Sequence, residues 1–282
     1  MLSQQIQLEY LRILSHDFST AQHSTAQSGI DLIYLQQLMQ HRTSTPALPA
    51  LDLNRSFHIV RQHEQAPLVI FFQGMYESHI TPYFSQHPQL EQLELLNESA
   101  LPFAFQSFIK RYPEFNYICV KDNFQSWYLL HFEYYLAALL KILEQIPTQN
   151  LITVGCSAGG YAAIVYGHYL HAAQTIAFAP QIRAYHLHHV NAYRQRLNER
   201  YALGQLAMAN LSQLYQHQQG FHQPIQLALA SQNESDWIEL NFLPWRNDAR
   251  ISTSFFAGRE HDLFSFMDKD YLFQWLRLMM RA

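Results

Sequence analysis

The stretch LITVGCSAGGYAAIVYG, residues 151–167, carries the strongest pattern in this sequence. The chain has 282 residues and only nine glycines, and four of them fall between positions 155 and 167 around Ser157. The apolar run LITV predicts a buried strand and YAAIVYG predicts a helix, so Ser157 falls at the turn between them. In a GxSxG turn of this kind, small flanking residues permit a sharp bend that exposes the serine hydroxyl. The pattern therefore predicts a nucleophilic serine, and the alternative is a tight turn whose serine caps the helix.

The composition is that of a globular protein with a large core. Hydrophobic residues make up 49% of the chain and charged residues 14%, and the formal net charge is −4. Binding to nucleic-acid phosphates depends on clustered Lys and Arg, and no basic run is present. We therefore expect no nucleic-acid partner.

Two cysteines bear on the cellular compartment. Cys119 and Cys156 both lie in apolar, strand-like segments without a CxxC spacing, which favours reduced thiols in a cytoplasmic protein. The first residues lack the basic and then apolar pattern of a signal peptide. The most apolar window, residues 134–143, is interrupted by Lys141 and is too short for a membrane span.

Apolar runs alternate with helical patterns along most of the chain. This alternation predicts an α/β fold with a doubly wound, mostly parallel sheet, in one domain covering residues 1–282. Residues 56–63 fit an antiparallel edge strand. Residues 1–55 are interpreted as a helical N-terminal preamble, and residues 181–224 as a helical cap insertion over the site. The predicted strands are 67–72, 117–120, 151–154, 175–179, 225–230 and 251–257, and the main predicted helices are 101–112, 126–146, 159–173 and 269–282.

A nucleophilic serine needs a base, and the base needs a carboxylate that orients it. On this type of fold the chain order is serine, acid, histidine. His261 is the best-placed histidine, because it lies in a glycine-containing loop directly after the last predicted strand. Asp236 is the preferred acid in the loop after residues 225–230, and Glu234 is the alternative.

Charge that develops on an ester carbonyl during acyl transfer needs two fixed N–H donors. One is expected to be the amide of Ala158, directly after the serine. The other is expected from the loop after the first parallel strand, where Gly74 or Met75 is the donor. The alternative is that residues 73–75 form an ordinary strand-to-helix turn.

Together these residues resemble the α/β-hydrolase superfamily: the GCSAGG turn at 155–160, the FFQGM loop at 71–75, and the ordered Ser157, Asp236 and His261. The resemblance covers residues 56–282. It departs from the common esterase pattern at Gln73, where many members have histidine, so a lipase-like substrate does not follow.

A narrower resemblance concerns three segments, VKDNFQSWY at 120–128, VGCSAGGYAAIVYG at 154–167 and IAFAPQ at 176–181. These are similar to α/β-hydrolase-fold proteins of bacterial capsule and surface-polysaccharide loci. Some members of that group are similar to O-acetyltransferases that move an acetyl group to a sugar hydroxyl. This resemblance implies acetyl-CoA as a co-substrate if the protein is a transferase, and otherwise no cofactor.

The loop after the strand at 117–120 supplies candidate substrate contacts. Loops at the carboxyl ends of parallel strands line the ligand crevice, so Asp122, Trp127 and Tyr128 are predicted to contact an acyl group or a sugar. The alternative is that Asp122 caps the following helix while Trp127 and Tyr128 pack it onto the sheet.

No metal site is expected. The segment YHLHH at 185–189 places His186 and His189 on one helical face, but no HExxH pattern or further ligand set accompanies them. A polar helix is the preferred interpretation.

Three functions remain open on these residues. The first is a serine-dependent hydrolase acting on a small acyl ester or an acylated carbohydrate. The second is an O-acetyltransferase, in which a sugar hydroxyl replaces water as the acceptor. The third is a catalytically silent protein that uses the same fold for binding or assembly.

Overall fold

One mixed sheet organises the protein. The computed structural model describes residues 41, 44–49, 51, 53–75, 102–146, 148, 150–186 and 191–281. Within these residues seven strands pair in the order β1-β3-β2-β4-β5-β6-β7, and β1 alone runs antiparallel to its neighbour. The strands are β1 Phe57–Val60, β2 Leu68–Phe72, β3 Asn116–Val120, β4 Leu151–Cys156, β5 Gln174–Phe178, β6 Ile225–Ala230 and β7 Ile251–Phe256. The predicted doubly wound α/β fold is confirmed, with the antiparallel strand at the predicted edge.

Helices connect the strands and cover both faces of the sheet. Between β5 and β6 the chain also forms two short 3₁₀ turns, Leu203–Gln205 and Ala207–Ala209. The α-helices are α1 Leu53–Ser56, α2 Gln106–Arg111, α3 Phe132–Gln145, α4 Ala158–Tyr169, α5 Ala192–Tyr201, α6 Leu211–Gln218, α7 Glu234–Leu240, α8 Leu263–Phe266 and α9 Lys269–Met279.

The continuous apolarity of the inner strands follows from burial on two sides. In β2, Leu68, Ile70 and Phe72 point into the core under α3 and α4. Val69 and Phe71 point into the opposite core, under α2 and α9. All five residues are buried, because successive side chains of a strand face opposite sides of the sheet.

The helix predicted at 126–146 begins later, at Phe132. Residues 126–131 form turns instead, and Trp127 and Tyr128 have positive φ angles of 58° and 60°. The buried carboxylate of Asp122 accepts backbone N–H groups of this loop. The carboxylate therefore satisfies backbone N–H groups that would otherwise be satisfied within a helix, and the loop is stable in a non-helical conformation.

The insertion at 181–224 is helical in its described residues, but it forms part of a core layer. Leu197, Leu203, Leu211 and Leu214 are fully buried in the core shared with α3 and α4. Tyr161 of α4 donates its hydroxyl to the carbonyl of Met208. In its described residues the insertion therefore thickens one helical face of the sheet.

The N-terminal preamble lies mostly outside the described residues, which include no position before His41. Its described end contacts the domain through hydrogen bonds and through Leu48 and Leu51, which pack against the core. His41 Nε2 lies 2.9 Å from the carbonyl oxygen of Tyr201, and His131 Nε2 lies 2.8 Å from that of Pro49.

None of the helices in the described part of the chain is both long enough and apolar enough to cross a membrane.

Candidate active site

Ser157 occupies a strained turn between β4 and α4. Its backbone has φ 56° and ψ −119°, a combination that L-residues rarely adopt. Its N–H donates to the carbonyl of Phe178 at the end of β5, at 2.8 Å, and this bond holds the turn against the neighbouring strand. The Ser157 hydroxyl makes no capping bond to α4, so the alternative of a helix-capping serine does not describe this turn.

Two glycines allow α4 to lie against the sheet at this turn. A Cβ atom at Gly155 would overlap the carbonyl oxygen of Gly159, and a Cβ at Gly159 would overlap the carbonyl oxygen of Phe72. Both obstacles are backbone atoms, so neither can be relieved by rotating a side chain. The cluster of glycines in the sequence thus reflects backbone-to-backbone packing directly around Ser157.

Ser157, His261 and Asp236 form a continuous hydrogen-bonded chain. His261 Nε2 lies 2.8 Å from Ser157 Oγ, and His261 Nδ1 lies 2.6 Å from Asp236 Oδ1. These distances fit a histidine that donates from Nδ1 to the carboxylate and accepts the serine hydroxyl at Nε2. The three residues predicted from chain order therefore meet at the carboxyl ends of β4, β6 and β7.

The same geometry decides between the two candidate acids. Asp236 is only 4% exposed and points toward the histidine. Glu234, in the first turn of α7, is exposed to solvent. One helix carries both residues, and positions two apart on a helix do not share a face.

Asn233 connects the two loops that carry the acid and the histidine. Its side-chain oxygen accepts the N–H of Asp236 at 2.9 Å and so caps α7. Its side-chain nitrogen donates to the carbonyl of Arg259 at 2.7 Å, two residues before His261. In addition, Gln232 N–H donates to the carbonyl of Gly258 at 2.9 Å. Our sequence reasoning missed Asn233, although an Asn three residues before an Asp at a helix start is an N-cap signal.

The three residues predicted as oxyanion donors, Gly74, Met75 and Ala158, lie around the serine. Gly74 and Met75 line the same cavity as Ser157. A Cβ at Gly74 would lie 2.9 Å from the carbonyl oxygen of Cys156 and 3.9 Å from Ser157 Cβ, so this loop runs directly beside the turn. Ala158 is the first residue of α4, where an N–H group has no intrahelical partner.

Asp122, Trp127 and Tyr128 do not line this cavity, which corrects their predicted role as substrate contacts. All three are buried, with at most 4% of the residue exposed. Trp127 Nε1 donates to Gln181 Oε1 at 2.6 Å. Tyr128 Oη lies 2.9 Å from the carbonyl oxygen of Gln73 and 3.0 Å from that of Val120. The tyrosine therefore fixes the start of the loop that continues into Gly74.

The carboxylate of Asp122 is an internal anchor. It accepts N–H groups from Phe124 at 3.0 Å and Tyr128 at 2.8 Å, and also the hydroxyl of Ser126 at 2.9 Å. Burial raises the pKa of Asp122, while these donors act in the opposite direction. The alternative interpretation, in which this residue caps local backbone and the aromatic residues pack, matches what the structure shows.

A cavity of about 390 Å³ opens at Ser157 and His261. Its wall is largely apolar, with aromatic side chains from α9 and from the loops before α2 and at α8. The described lining residues are Gly74, Met75, Ala104, Phe105, Ser107, Cys156, Ser157, His261, Asp262, Phe264, Lys269 and Phe273. None of them belongs to the insertion at 181–224, and no sequence pattern indicated Phe105, Phe264 or Lys269 at this site.

A metal site finds no support in the described residues. They contain no group of three or more His, Cys, Asp or Glu side chains arranged to hold a metal ion. His186 lies within the described residues, but His189 lies outside them.

The mostly parallel sheet and the strand–turn–helix at Ser157 define the α/β-hydrolase fold. No protein-family model matches the sequence, and no curated protein matches it either. Comparison with solved structures does give matches. The capsule O-acetyltransferase of Neisseria meningitidis serogroup A superposes with a TM-score of 0.59 at 14% identity, covering 85% of this chain and 98% of that one. A variant of the same enzyme in complex with CoA gives a TM-score of 0.55 at 14% identity, covering 86% of this chain and 99% of that one.

A second kind of neighbour is a hydrolase. A fluorophosphonate-binding serine hydrolase of Staphylococcus aureus, with substrate bound, gives a TM-score of 0.51 at 14% identity, covering 78% of this chain and 86% of that one. These likenesses confirm the fold, and they include a protein of the capsule-related kind that the sequence segments resemble.

Proposed function

We propose that the protein is a serine-dependent acyl-ester hydrolase that works through an acyl-serine intermediate. The observation that carries this proposal is the chain of contacts from Ser157 Oγ to His261 Nε2 and from His261 Nδ1 to Asp236. A serine hydroxyl becomes an effective nucleophile only with a base in hydrogen-bond reach and a group that orients the base. The strained turn at Ser157 supports the same function, because strain of this kind is concentrated at active sites.

The reaction begins when Ser157 Oγ attacks the carbonyl carbon of the ester. The serine proton passes to His261 Nε2, and the negative charge of Asp236 stabilises the imidazolium that forms. The C–O bond of the ester then breaks, and the leaving alcohol takes the proton from His261. Water, deprotonated by His261, attacks the acyl-serine in the second half; release of the acid returns the proton to Ser157.

The oxyanion that forms in each half needs N–H donors. Ala158 supplies one from the start of α4, and Gly74 or Met75 supplies the other. The position of Gly74 beside Ser157 supports this assignment, and donors fixed before the reaction begins are the most effective kind. The cavity volume suits a small acyl ester or an acylated sugar.

A second candidate function is O-acetyl transfer to a sugar hydroxyl, with acetyl-CoA as the donor. The support is specific: the fold matches nearly the full length of a capsule O-acetyltransferase, and a variant of that enzyme was solved with CoA. The chemistry at Ser157 is shared up to the acyl-serine. The functions diverge at the acceptor, since transfer requires that a sugar hydroxyl outcompetes water.

The proposal is tested by labelling with a fluorophosphonate probe. We expect the native protein to be labelled at Ser157, and Ser157→Ala to lose the label completely. Ser212→Ala, at a serine on α6 that does not line the cavity, is the matched control and should label normally. A folded native protein that is not labelled would contradict covalent catalysis and would favour the silent binding protein.

The acceptor is tested by following thiol release from acetyl-CoA with and without a glycan. Release that needs the glycan, with an acetylated sugar as product, supports transfer. Turnover of simple acetyl esters that is indifferent to the glycan supports hydrolysis.

A further inference from the structure

Lys269 is the one cationic residue among the described residues that line the cavity. It is the first residue of α9, and Phe273, four positions later, also lines the cavity. Residues at positions i and i+4 lie on the same face of a helix. The Lys269 side chain is therefore carried on the cavity side of α9, together with the apolar ring of Phe273.

The carboxylates nearest to Lys269 in sequence are occupied elsewhere. Asp268 caps α9 by accepting the N–H of Tyr271 at 2.8 Å. Asp270 forms an ion pair with Arg111 of α2. No ion pair or hydrogen bond joins the Lys269 side chain to another described residue, and the residue is exposed to solvent. The positive charge is thus available to a ligand.

The other formally charged residue among the described lining residues is Asp262. Asp262 caps α8 by accepting the N–H of Phe264 at 3.0 Å, and its Oδ1 lies 4.0 Å from Cys156 Sγ. This carboxylate disfavours an anionic ligand group in its own vicinity. An anionic ligand group is therefore favoured near Lys269 rather than near Asp262.

We infer that Lys269 binds an anionic group, a carboxylate or a phosphate, on the acyl-ester substrate, at a distance from the ester that Ser157 attacks. The inference deepens the proposed function and rests on it. Lysine binds such groups as a compact point charge through charge-assisted hydrogen bonds. In this proposal the substrate is an acyl ester or thioester whose leaving group carries the negative charge.

The test compares matched charged and neutral substrates. For a carboxylate the pair is 4-acetoxybenzoate and its methyl ester; for a phosphate the pair is acetyl-CoA and S-acetylpantetheine. We expect Lys269→Gln to lower the ratio of kcat/KM for the charged over the neutral member about 3- to 10-fold in at least one pair. Lys269→Glu should lower the ratio further, and added salt should weaken the preference in the native protein.

Lys110→Gln is the matched control, since Lys110 is an exposed lysine in the last turn of α2 and does not line the cavity. Its ratio should equal that of the native protein. The pair that responds identifies the anion as carboxylate or phosphate.

Two failures are distinguishable. In the first, the native protein takes the fluorophosphonate label and cleaves the neutral esters, but neither Lys269 variant changes the charged-to-neutral ratio of kcat/KM. The proposed anion site is then wrong, and the proposed hydrolase function still stands. If the native protein neither labels nor cleaves any of the four substrates, the proposed function fails, and the anion site fails with it.

Discussion

At the scale of single residues, the sequence left two candidates for the carboxylate that orients His261, and the structure shows which of them contacts it. Asp236 is buried at 2.6 Å from His261 Nδ1, whereas Glu234 is in solvent on the same helix. A buried carboxylate bonded to Nδ1 holds the imidazole in the tautomer that can accept the serine proton.

Exchanging this acid for its amide tests the arrangement. Asp236→Asn should lower kcat about 10³- to 10⁴-fold, because the amide no longer selects the correct tautomer or stabilises the imidazolium. Glu234→Gln is the control and should keep the native kcat, as measured by ester hydrolysis at neutral pH. Comparable losses in both variants, or a greater loss at Glu234, would mean that the acid has been assigned wrongly.

At the scale of elements, the turn and the helix at Ser157 depend on missing side chains. α4 lies so close to β2 that its second residue, Gly159, has no room for a Cβ beside the carbonyl oxygen of Phe72. In contrast, a Cβ at Gly204, in a 3₁₀ turn, would lie 3.1 Å from Asn198 Oδ1, which accepts the Gly204 N–H, and a shift of a few tenths of an ångström relieves the contact.

The two glycines give a matched pair of substitutions. Gly159→Ala should lower the free energy of unfolding by about 3 kcal/mol or more, since helix and strand must separate to admit the methyl group. Gly204→Ala should change it by less than about 1 kcal/mol. Urea unfolding followed by circular dichroism measures both, and equal effects would show that the packing at Gly159 is not limiting.

At the same scale, the sequence predicted the bounds of most strands well, but it did not predict which residues each element packs against. The six predicted parallel strands form within a residue or two of their expected bounds, because continuous apolar runs between turn residues are a local signal. The helix predicted at 126–146 begins only at Phe132, because the buried carboxylate of Asp122 stabilises the preceding loop, and no local pattern reveals that burial.

At the scale of the whole molecule, a group of histidines joins the end of α4 to the loop before β6. His168 is 1% exposed. Its ring stacks on the ring of His222, with 4.4 Å between the ring centroids, and the ring centroid of His171 lies 4.9 Å from that of His222. Burial, and then the neighbouring His222 and His171, lower the pKa of His168 to about 3. Burial also lowers the pKa of His222, and the neighbouring His171 and Arg250 lower it further.

This burial predicts acid-sensitive stability. Above pH 6.5 His168 is neutral in both states, so its burial has no pH-dependent effect. Between pH 6.5 and about 3 the unfolded chain takes up a proton that the folded protein does not, so the free energy of unfolding falls as the pH falls, with a slope that approaches about 1.4 kcal/mol per pH unit. His168→Phe should show a shallower decline between pH 6.5 and 4.5 in thermal unfolding. Parallel curves for the two proteins would contradict this account.

The sequence by itself determined the class of fold, the serine at its turn and the loop that carries the histidine. These follow from local patterns: apolar runs, glycine spacing and the order of elements along the chain. Only the tertiary structure decided which acid meets the histidine, that Asp122, Trp127 and Tyr128 are internal, that the insertion joins the core, and that Lys269 lines the cavity. Each of these depends on which face of an element packs against residues far away in the chain, and local periodicity contains no information about that partner.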